Sequence, residues 1–225
     1  MTPPIRLIIF DMAGTTVHDD DYVNLFLRRA LEHHGISCSR DDVNTVMGWP
    51  KAEAIRQVLV ARNEAADPAR VEAIHASYLE GMEQFYASDP HVREIEGATQ
   101  LFETLRERGI KVALETGFNR STADLIIERL GWRHKIDASA SSDEVLRGRP
   151  HPDLAYFLMD KVGVPDPELV AKVGDTVSDL GEGAAAGCRY NIGVLSGAYT
   201  REALAAMPHT HLIDSVADLP QVLGL

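Results

Sequence analysis

The sequence predicts an α/β fold in which a doubly wound parallel sheet carries a helical insertion. Three observations support this prediction. Short apolar runs alternate with amphipathic helical patterns over the second half of the chain. Most of these runs end in an acidic, hydroxyl or glycine residue, and one long segment after the first run has helical periodicity only. Buried parallel strands are short and continuously apolar, and helices cover both faces of their sheet.

The first predicted strand covers residues 5–10 and delivers Asp11 at its carboxyl end. The segment from about residue 22 to residue 86 lacks strand signals, and its apolar residues recur at helical spacing, which predicts three to five helices. We therefore expect a sheet domain formed by residues 1–17 and 92–225, and an α-helical cap domain formed by residues 18–91. The connections to the cap should cross the ligand-binding edge of the sheet, so we expect a mobile lid.

The remaining chain alternates helix and strand. Helices are predicted over residues 98–105, 120–130, 153–162 and 180–186. Strands are predicted over residues 110–114, 135–138, 169–173 and 190–194, and the tail repeats the alternation once more. Because ligands bind beyond the carboxyl ends of parallel strands, Asp11, Thr116 and Asp175 should meet in one crevice.

Composition and charge restrict the class of partner. Of the 225 residues, 45% are hydrophobic and 25% are charged, which suits a packed core. The formal net charge of −12 argues against nucleic acid and anionic membranes as partners, so an anionic substrate would need local positive charge. Cys38 and Cys188 lie far apart, and no signal peptide or membrane-spanning run is visible, so we expect a cytoplasmic protein.

Four motifs carry the candidate chemistry: Asp11-Met12-Ala13-Gly14-Thr15, Glu115-Thr116-Gly117, Gly148-Arg149-Pro150 and Gly174-Asp175-Thr176-Val177-Ser178-Asp179. Their order and their placement on the predicted elements resemble the haloacid dehalogenase (HAD) superfamily of phosphoryl-transfer enzymes. The resemblance covers nearly the whole chain. It implies a HAD-like (Rossmannoid) doubly wound parallel sheet with an inserted helical cap.

The resemblance also implies a role for each motif. Asp11 corresponds to the nucleophile, which would form an aspartyl-phosphate. Thr116 corresponds to the hydroxyl that grips a phosphoryl oxygen, although it could instead cap the following helix. Arg149 stands where most members carry a lysine. Asp175 and Asp179 correspond to the acidic metal motif, and Asp179 could alternatively serve only as a cap and ion-pair partner.

Elementary electrostatics favours the same roles. A phosphoryl dianion repels a carboxylate nucleophile, so its attack requires local positive charge. Mg²⁺ prefers oxygen ligands, which Asp11, Asp175, Asp179 and the backbone carbonyl of Ala13 can supply. The planar guanidinium of Arg149 can bind the same phosphoryl oxygens. A further acidic run is interpreted as solvated and helix-capping: Asp19-Asp20-Asp21.

Ala13 stands where ordinary HAD phosphatases carry a second aspartate, the general acid that protonates a departing alkoxide. The phosphonoacetaldehyde hydrolase (phosphonatase) group of the superfamily has alanine there and cleaves a carbon–phosphorus bond. The sequence Met47-Gly48-Trp49-Pro50-Lys51 resembles the Met-Gly-x-x-Lys stretch of that group's cap. The resemblance implies that Lys51 forms a Schiff base, whose iminium accepts the electrons of the broken bond.

Local physics suits this role for Lys51. Pro50 is favoured at the start of a helix, so Lys51 should lie in the first turn and face the positive end of the helix dipole. The dipole, together with desolvation against Trp49, should lower the pKa of Lys51, and a lysine nucleophile must be partly neutral. Without the alanine at position 13, an ordinary exposed helix lysine would be the better interpretation.

Two positions depart from the phosphonatase pattern. The cap histidine of that group aligns with Ala54, and the tyrosine after its Thr-Gly pair aligns with Phe118. Both changes indicate a carbonyl substrate that differs from that of the resembled group. The residues expected to bind the substrate are Ala13, Gly14, Thr15, Met47, Gly48, Gly117 and Phe118.

The leading hypothesis is a Mg²⁺-dependent hydrolase that cleaves the C–P bond of a small 2-oxo-phosphonate. Catalysis would use Asp11, Lys51, Arg149 and Thr116. One alternative is a HAD phosphatase acting on a small phosphate monoester. Another is a regulatory protein that binds phosphate without turnover. The resembled enzyme is a homodimer, so a homodimer is implied here also.

Overall fold

The computed structural model describes residues 4–47 and 49–225. Within these residues six parallel strands form one sheet. The strands are β1 (Leu7–Asp11), β2 (Lys111–Thr116), β3 (Ala138–Ser141), β4 (Val170–Gly174), β5 (Tyr190–Val194) and β6 (His211–Ile213). Their order across the sheet is β3-β2-β1-β4-β5-β6, so the predicted parallel sheet is confirmed.

Strand β1 lies at the centre of the sheet, between β2 and β4. All five of its residues are buried, as its unbroken apolar sequence requires for a strand covered on both faces. The register pairs Asp11 with Glu115 of β2 and Phe10 with Val173 of β4. The carboxyl ends of β1, β2 and β4 therefore lie side by side, which brings their terminal side chains to one edge.

Four α-helices follow β1 in the part of the chain that the structure describes. They are α1 (Tyr22–His33), α2 (Arg40–Asn44), α3 (Lys51–Ala61) and α4 (Pro68–Ser88), and we call them the helical insertion. Their number agrees with the predicted three to five helices. Asp67 caps α4 by accepting a hydrogen bond from Arg70 N at 3.0 Å, and Pro68 occupies the first helical position.

The later helices cover the two faces of the sheet. They are α5 (Ala98–Glu107), α6 (Arg120–Arg129), α7 (Asp153–Val162), α8 (Val177–Ala186), α9 (Arg201–Ala205) and α10 (Leu219–Leu223). Three short 3₁₀ turns among the described residues lie in connections between strands and helices: Ser142–Glu144, Pro167–Leu169 and Val216–Asp218. Helix α8 begins three residues earlier than predicted, because Thr176 and Asp179 form a reciprocal capping box.

The predicted strand over residues 135–138 is wrong in position, since β3 covers Ala138–Ser141. Asp137 explains the difference. Its carboxylate accepts hydrogen bonds from Lys111 Nζ at 2.9 Å and from Val112 N at 3.0 Å, so it closes the loop that precedes the strand. The strand itself consists of alternating alanine and serine, residue types that carry little sequence signal for a strand.

The aromatic side chains join the helical insertion to the sheet domain. Tyr86 of α4 packs edge-on against Phe118, which follows β2, with ring centroids 5.6 Å apart. Under the sheet, Phe102 contacts Phe10 and Trp132, with centroid separations of 5.5 and 5.2 Å. One apolar cluster thus continues from the sheet into the insertion. Among the described residues, no helix has the length and apolarity needed to cross a bilayer.

A matched pair on α3 tests the packing of the helical insertion. Leu59 is fully buried, whereas its neighbour Val60 is 58% exposed. Leu59→Ala should lower the free energy of unfolding by about 2–5 kcal/mol, because it leaves a cavity in the core. Val60→Ala should change it by less than about 0.5 kcal/mol. Urea unfolding followed by circular dichroism measures both, and equal losses would contradict this packing.

Candidate active site

A cleft lies at the carboxyl edge of the sheet, beneath the helical insertion. Its free volume is ≈30 Å³. Its walls come from both parts of the molecule. The sheet domain contributes Asp11, Ala13, Thr116, Gly117, Phe118, Arg149, Asp175, Thr176 and Ala198. The insertion and the segments that lead to its helices contribute Asp19, Val23, Met47 and Lys51.

Asp11 is the last residue of β1, and it is almost completely buried. Arg149 Nη1 donates a hydrogen bond to Asp11 Oδ1 at 2.5 Å. Burial raises the pKa of Asp11 to about 6, although the Arg149 charge opposes this shift. The predicted nucleophile and the predicted phosphoryl-binding arginine are therefore in direct contact.

Behind Asp11 lies a buried ionic network that the sequence analysis missed. Lys172 Nζ in β4 contacts Glu115 Oε1 at 2.9 Å, Asp179 Oδ1 at 2.8 Å and Glu182 Oε2 at 3.7 Å. Burial would lower the pKa of Lys172, but the Asp179 and Glu115 charges outweigh burial and raise it. A signal was available, because charged residues in apolar strand sequences are rarely buried without a partner.

Asp179 belongs to this network. Its Oδ1 accepts hydrogen bonds from Lys172 and from Arg149. Its Oδ2 accepts from Thr176 N at 3.1 Å and from Thr176 Oγ1 at 2.5 Å, which completes the cap of α8. Burial would raise the pKa of Asp179, but Arg149 and Lys172 together hold it well below its usual range. Both carboxylate oxygens therefore already accept hydrogen bonds from the protein.

Asp175 follows β4 and is held from two sides. Thr15 Oγ1 donates to Asp175 Oδ1 at 3.1 Å, and Ala198 N donates to Asp175 Oδ2 at 2.8 Å. Burial and the nearby charges of Asp11 and Asp179 raise the pKa of Asp175 well above its usual range. Gly14 is required here, because its φ is +88° and a Cβ atom would lie 2.6 Å from Asp175 Oδ2.

The buried carboxylates suit a divalent cation. Carboxylate oxygens of Asp11, Asp175 and Asp179 all lie within 4.8 Å of one another. Burial, together with the neighbouring Asp11 and Asp179 charges, raises the pKa of Asp175, so added positive charge would favour its ionised form. An all-oxygen donor set is the type that Mg²⁺ prefers. Asp11 and Asp175 fit this role best, since Asp179 would have to release a hydrogen bond to bind the metal directly.

Thr116 is the last residue of β2, and its side chain is buried at the cleft. Its Oγ1 accepts a hydrogen bond from Phe118 N at 3.1 Å. The alternative interpretation of Thr116 as a helix cap is wrong, because Asn119 caps α6 through a hydrogen bond from Thr122 N at 3.2 Å. The Thr116 hydroxyl hydrogen therefore remains available to an acceptor in the cleft.

Lys51 is the first residue of α3, as predicted, and its side chain is only 6% exposed. It lies in the same cleft as Asp11 and Arg149. Among the described residues, its one hydrogen bond runs from Nζ to the Trp49 carbonyl oxygen at a long 3.4 Å. Burial lowers the pKa of Lys51 to about 8, and the Arg149 charge adds to this shift. Burial is therefore the largest cause of the lowered pKa of Lys51, whereas the sequence pattern suggested the helix dipole first.

Most, but not all, of the predicted site residues line the cleft. Gly14, Thr15 and Asp179 lie behind its wall, where Gly14 and Thr15 support Asp175 instead of facing the cleft. Gly48 falls outside the described residues. The sequence analysis missed four lining residues: Asp19, Val23, Thr176 and Ala198. Asp19 was interpreted as solvated, but it is partly buried here.

Thermal unfolding tests the cation site. Saturating Mg²⁺ at about 100 times its Kd should stabilise the protein by about 2.7 kcal/mol, because it binds only the folded state. For a chain of this size the Tm should rise by roughly 5–10 °C. Asp175→Asn should abolish the rise, whereas Asp20→Asn, at an exposed carboxylate, should keep it. An unchanged rise in Asp175→Asn would place the cation elsewhere.

Comparison with known proteins shows the family of the chain. The sequence model of the haloacid dehalogenase-like hydrolases matches residues 8–193. A phosphonoacetaldehyde hydrolase of Bacillus cereus (strain B4264) is 31% identical over 226 residues, which cover 94% of this chain and 85% of that protein. One from Bacteroides fragilis (strain YCH46) is 30% identical over 240 residues, covering 96% and 88%.

Solved structures show the same fold. A hydrolase from Pseudomonas syringae superposes with a TM-score of 0.87 at 23% identity, covering 97% of this chain and 98% of that one. A phosphonoacetaldehyde hydrolase-like protein from Oleispira antarctica gives 0.86 at 22% identity, covering 99% and 92%. The resemblance inferred from the four motifs is thus confirmed, and the chain belongs to the haloacid dehalogenase-like hydrolases.

Proposed function

We propose that this hydrolase cleaves the C–P bond of a small 2-oxo-phosphonate similar to phosphonoacetaldehyde. One observation carries the proposal: the amine of Lys51 is buried in the same cleft as the Asp11 carboxylate. A phosphate monoesterase needs no second amine of this kind, because Arg149 already supplies the cation beside the nucleophile and an ester requires no electron sink. The similarity to phosphonoacetaldehyde hydrolases at 30–31% identity supports the same substrate class.

The lysine supplies an electron sink. Cleavage of a C–P bond leaves its electron pair on carbon, and a free carbanion is a far poorer leaving group than an alkoxide. An iminium formed between Lys51 and the substrate carbonyl accepts that pair and becomes an enamine. The depressed pKa of Lys51 supports this role, because it leaves part of the amine neutral near pH 8.

The residue beside the nucleophile is consistent with this leaving group. Ala13 lines the cleft two residues after Asp11 and offers no side-chain proton. An alkoxide would need such a proton as it departs. An enamine needs none, because the electron pair of the broken bond neutralises the positive charge of the iminium nitrogen. The absent acid at position 13 and the buried amine of Lys51 therefore fit one reaction.

Asp11 is the proposed nucleophile toward phosphorus, and Arg149 positions the phosphoryl group. The Arg149 guanidinium is buried, and its Nε has no acceptor among the described residues. A buried donor without a partner is costly, and a phosphoryl oxygen would satisfy it. The Thr116 hydroxyl can donate to another phosphoryl oxygen. Asp11 then carries the phosphoryl group until water releases phosphate.

Asp11 and Asp175 would hold the proposed Mg²⁺, and the Ala13 carbonyl could add a backbone ligand. When bound, the ion would offset the charge of the phosphoryl oxygens next to the Asp11 carboxylate. Arg149 alone cannot do this for every carboxylate in the site, since it already contacts Asp11 and Asp179.

Covalent trapping tests the imine. Incubation with borohydride and a small panel of 2-oxo-phosphonates, phosphonoacetaldehyde among them, should attach the dephosphorylated product of the cleaved substrate to Lys51, detected by peptide mass spectrometry. Lys51→Arg keeps the positive charge but cannot form the imine. It should reduce phosphate release by at least roughly 10³, the order lost when one member of a covalent constellation is removed.

The matched control is Lys135→Arg, at a lysine paired with Glu103 on the surface. It should leave both trapping and turnover unchanged. Phosphate release from p-nitrophenyl phosphate that is unaffected in Lys51→Arg, without any adduct, would instead support a phosphate monoesterase. Phosphonate binding without phosphorylation of Asp11 would support a regulatory protein.

The pH dependence of Lys51 acetylation follows from the lowered pKa of Lys51, which is about 8. The neutral amine is the nucleophile, so the rate of its acetylation by acetic anhydride should rise with pH and level off above about pH 8. At pH 6 it should be roughly a hundredfold below the plateau. Acetylation forms no imine, so peptide mass spectrometry of acetylated Lys51 measures the titration of the amine alone. Nα-acetyl-lysine amide, as the solvated reference, should continue to rise toward pH 10; a coincident profile would refute the shift.

A further inference from the structure

Imine chemistry needs an acid and a base beside the nitrogen, because water must leave when the imine forms and return when it is hydrolysed. The residue at the place of the phosphonatase cap histidine is Ala54, which is buried and carries no proton. Ala13 cannot serve either. Among the described residues, one other titratable side chain from the insertion side lines the cleft together with Lys51, namely Asp19.

We propose that Asp19 is the proton-transfer group for formation and hydrolysis of the Lys51 imine, an inference that rests on the proposed function. Asp19 lies between β1 and α1 and lines the cleft together with Lys51. Val23 N donates to Asp19 Oδ1 at 3.2 Å, and the Tyr22 backbone amide also contacts the carboxylate. No side chain among the described residues donates to Asp19.

The two neighbouring aspartates differ from Asp19 in this respect. Asp20 lies within ion-pair distance of His18 at 3.2 Å and of Arg93 at 3.6 Å. Asp21 pairs with Arg40 at 2.9 Å and with Arg28 at 3.8 Å. In the described part of the chain, Asp19 has no ion pair within 4 Å. Its carboxyl group therefore stays free to exchange a proton with a molecule in the cleft.

The surroundings of Asp19 favour an acid that can be protonated. Burial raises its pKa, although the backbone amides of Val23 and Tyr22 oppose the shift. Asp19 and Lys51 line the same cleft, and the charge of each favours the charged form of the other. The other charged groups that act on this pair are Asp11, Asp21 and Arg149. The pair in turn affects the pKa values of His75, Tyr78 and Tyr86.

The proton balance closes over one cycle. The neutral Lys51 amine adds to the carbonyl carbon, and its proton passes to the oxygen to give a carbinolamine. Asp19 as the carboxylic acid donates its proton to this hydroxyl, water leaves, and the nitrogen lone pair forms the iminium. After C–P cleavage a proton from solvent returns the enamine to the iminium. The Asp19 carboxylate then removes a proton from the water that adds to the iminium carbon, which restores the acid and gives a second carbinolamine. Its hydroxyl proton passes to nitrogen as the C–N bond breaks, which releases the carbonyl product and the neutral Lys51 amine.

Asp19→Asn tests this role, because asparagine keeps the acceptor for Val23 N but cannot transfer the proton. The probe is acetaldehyde with cyanoborohydride at pH 7, with ethylation of Lys51 followed by mass spectrometry. We expect the rate to fall by about 10² relative to the unsubstituted protein. Asp20→Asn should leave it unchanged, and Asp19→Glu should recover part of it. Asp19→Ser provides a second acid-free variant if Asp19→Asn does not fold.

The direction of the change separates proton transfer from a purely electrostatic role. The Asp19 charge raises the pKa of Lys51. If charge were its only effect, its removal would leave more neutral amine at pH 7 and speed ethylation. An equal or faster rate in Asp19→Asn therefore overturns the inference while leaving the proposed function intact. Absence of Lys51 ethylation in the unsubstituted protein would overturn both.

Discussion

Neutralisation of buried carboxylates by Arg149 and Lys172 is the constraint on which this site depends. Five acidic side chains converge at the carboxyl ends of β1, β2 and β4, and all are almost fully buried: Asp11, Glu115, Asp175, Asp179 and Glu182. Isolated buried charges would be prohibitively costly, so each cation must contact several of them. Because Lys172 contacts Asp179 and Glu115 from within the sheet, Arg149 can extend to Asp11 at the cleft.

The helical insertion adds a second electrostatic environment. On the sheet side, burial and crowded charge raise the pKa values of Asp11 and Asp175. On the insertion side, burial lowers the pKa of Lys51. Burial thus moves the pKa values of an acid and of an amine toward neutral pH from opposite directions. Both groups are buried because the cleft has one wall from the sheet domain and another from the insertion side.

The strand pattern and the four motifs predicted the sheet and the meeting of Asp11, Thr116, Arg149 and Asp175 at one cleft. These features depend on periodicity and on strand ends, both of which are local. The roles of Thr15 and Lys172 could not be predicted in this way, since they depend on contacts across 160 residues and between neighbouring strands. The position of β3 was missed because Asp137 hydrogen bonds, not apolar residues, fix its start. The prediction that Asp19 is solvated was wrong, because nothing in a run of three consecutive aspartates indicates which side chain is buried.

The small size of the cleft limits how a ligand can enter and leave the site. Its free volume of ≈30 Å³ is roughly that of two water molecules by this measure, which is less than a phosphonate needs. Entry of such a ligand would require the insertion to move away from the sheet, which would separate Tyr86 from Phe118. Each entry or exit of a ligand would expose these two rings to water and then bury them again. Opening would thus be resisted by an apolar contact, and the proposed Lys51 imine would be sheltered from bulk water until that contact breaks.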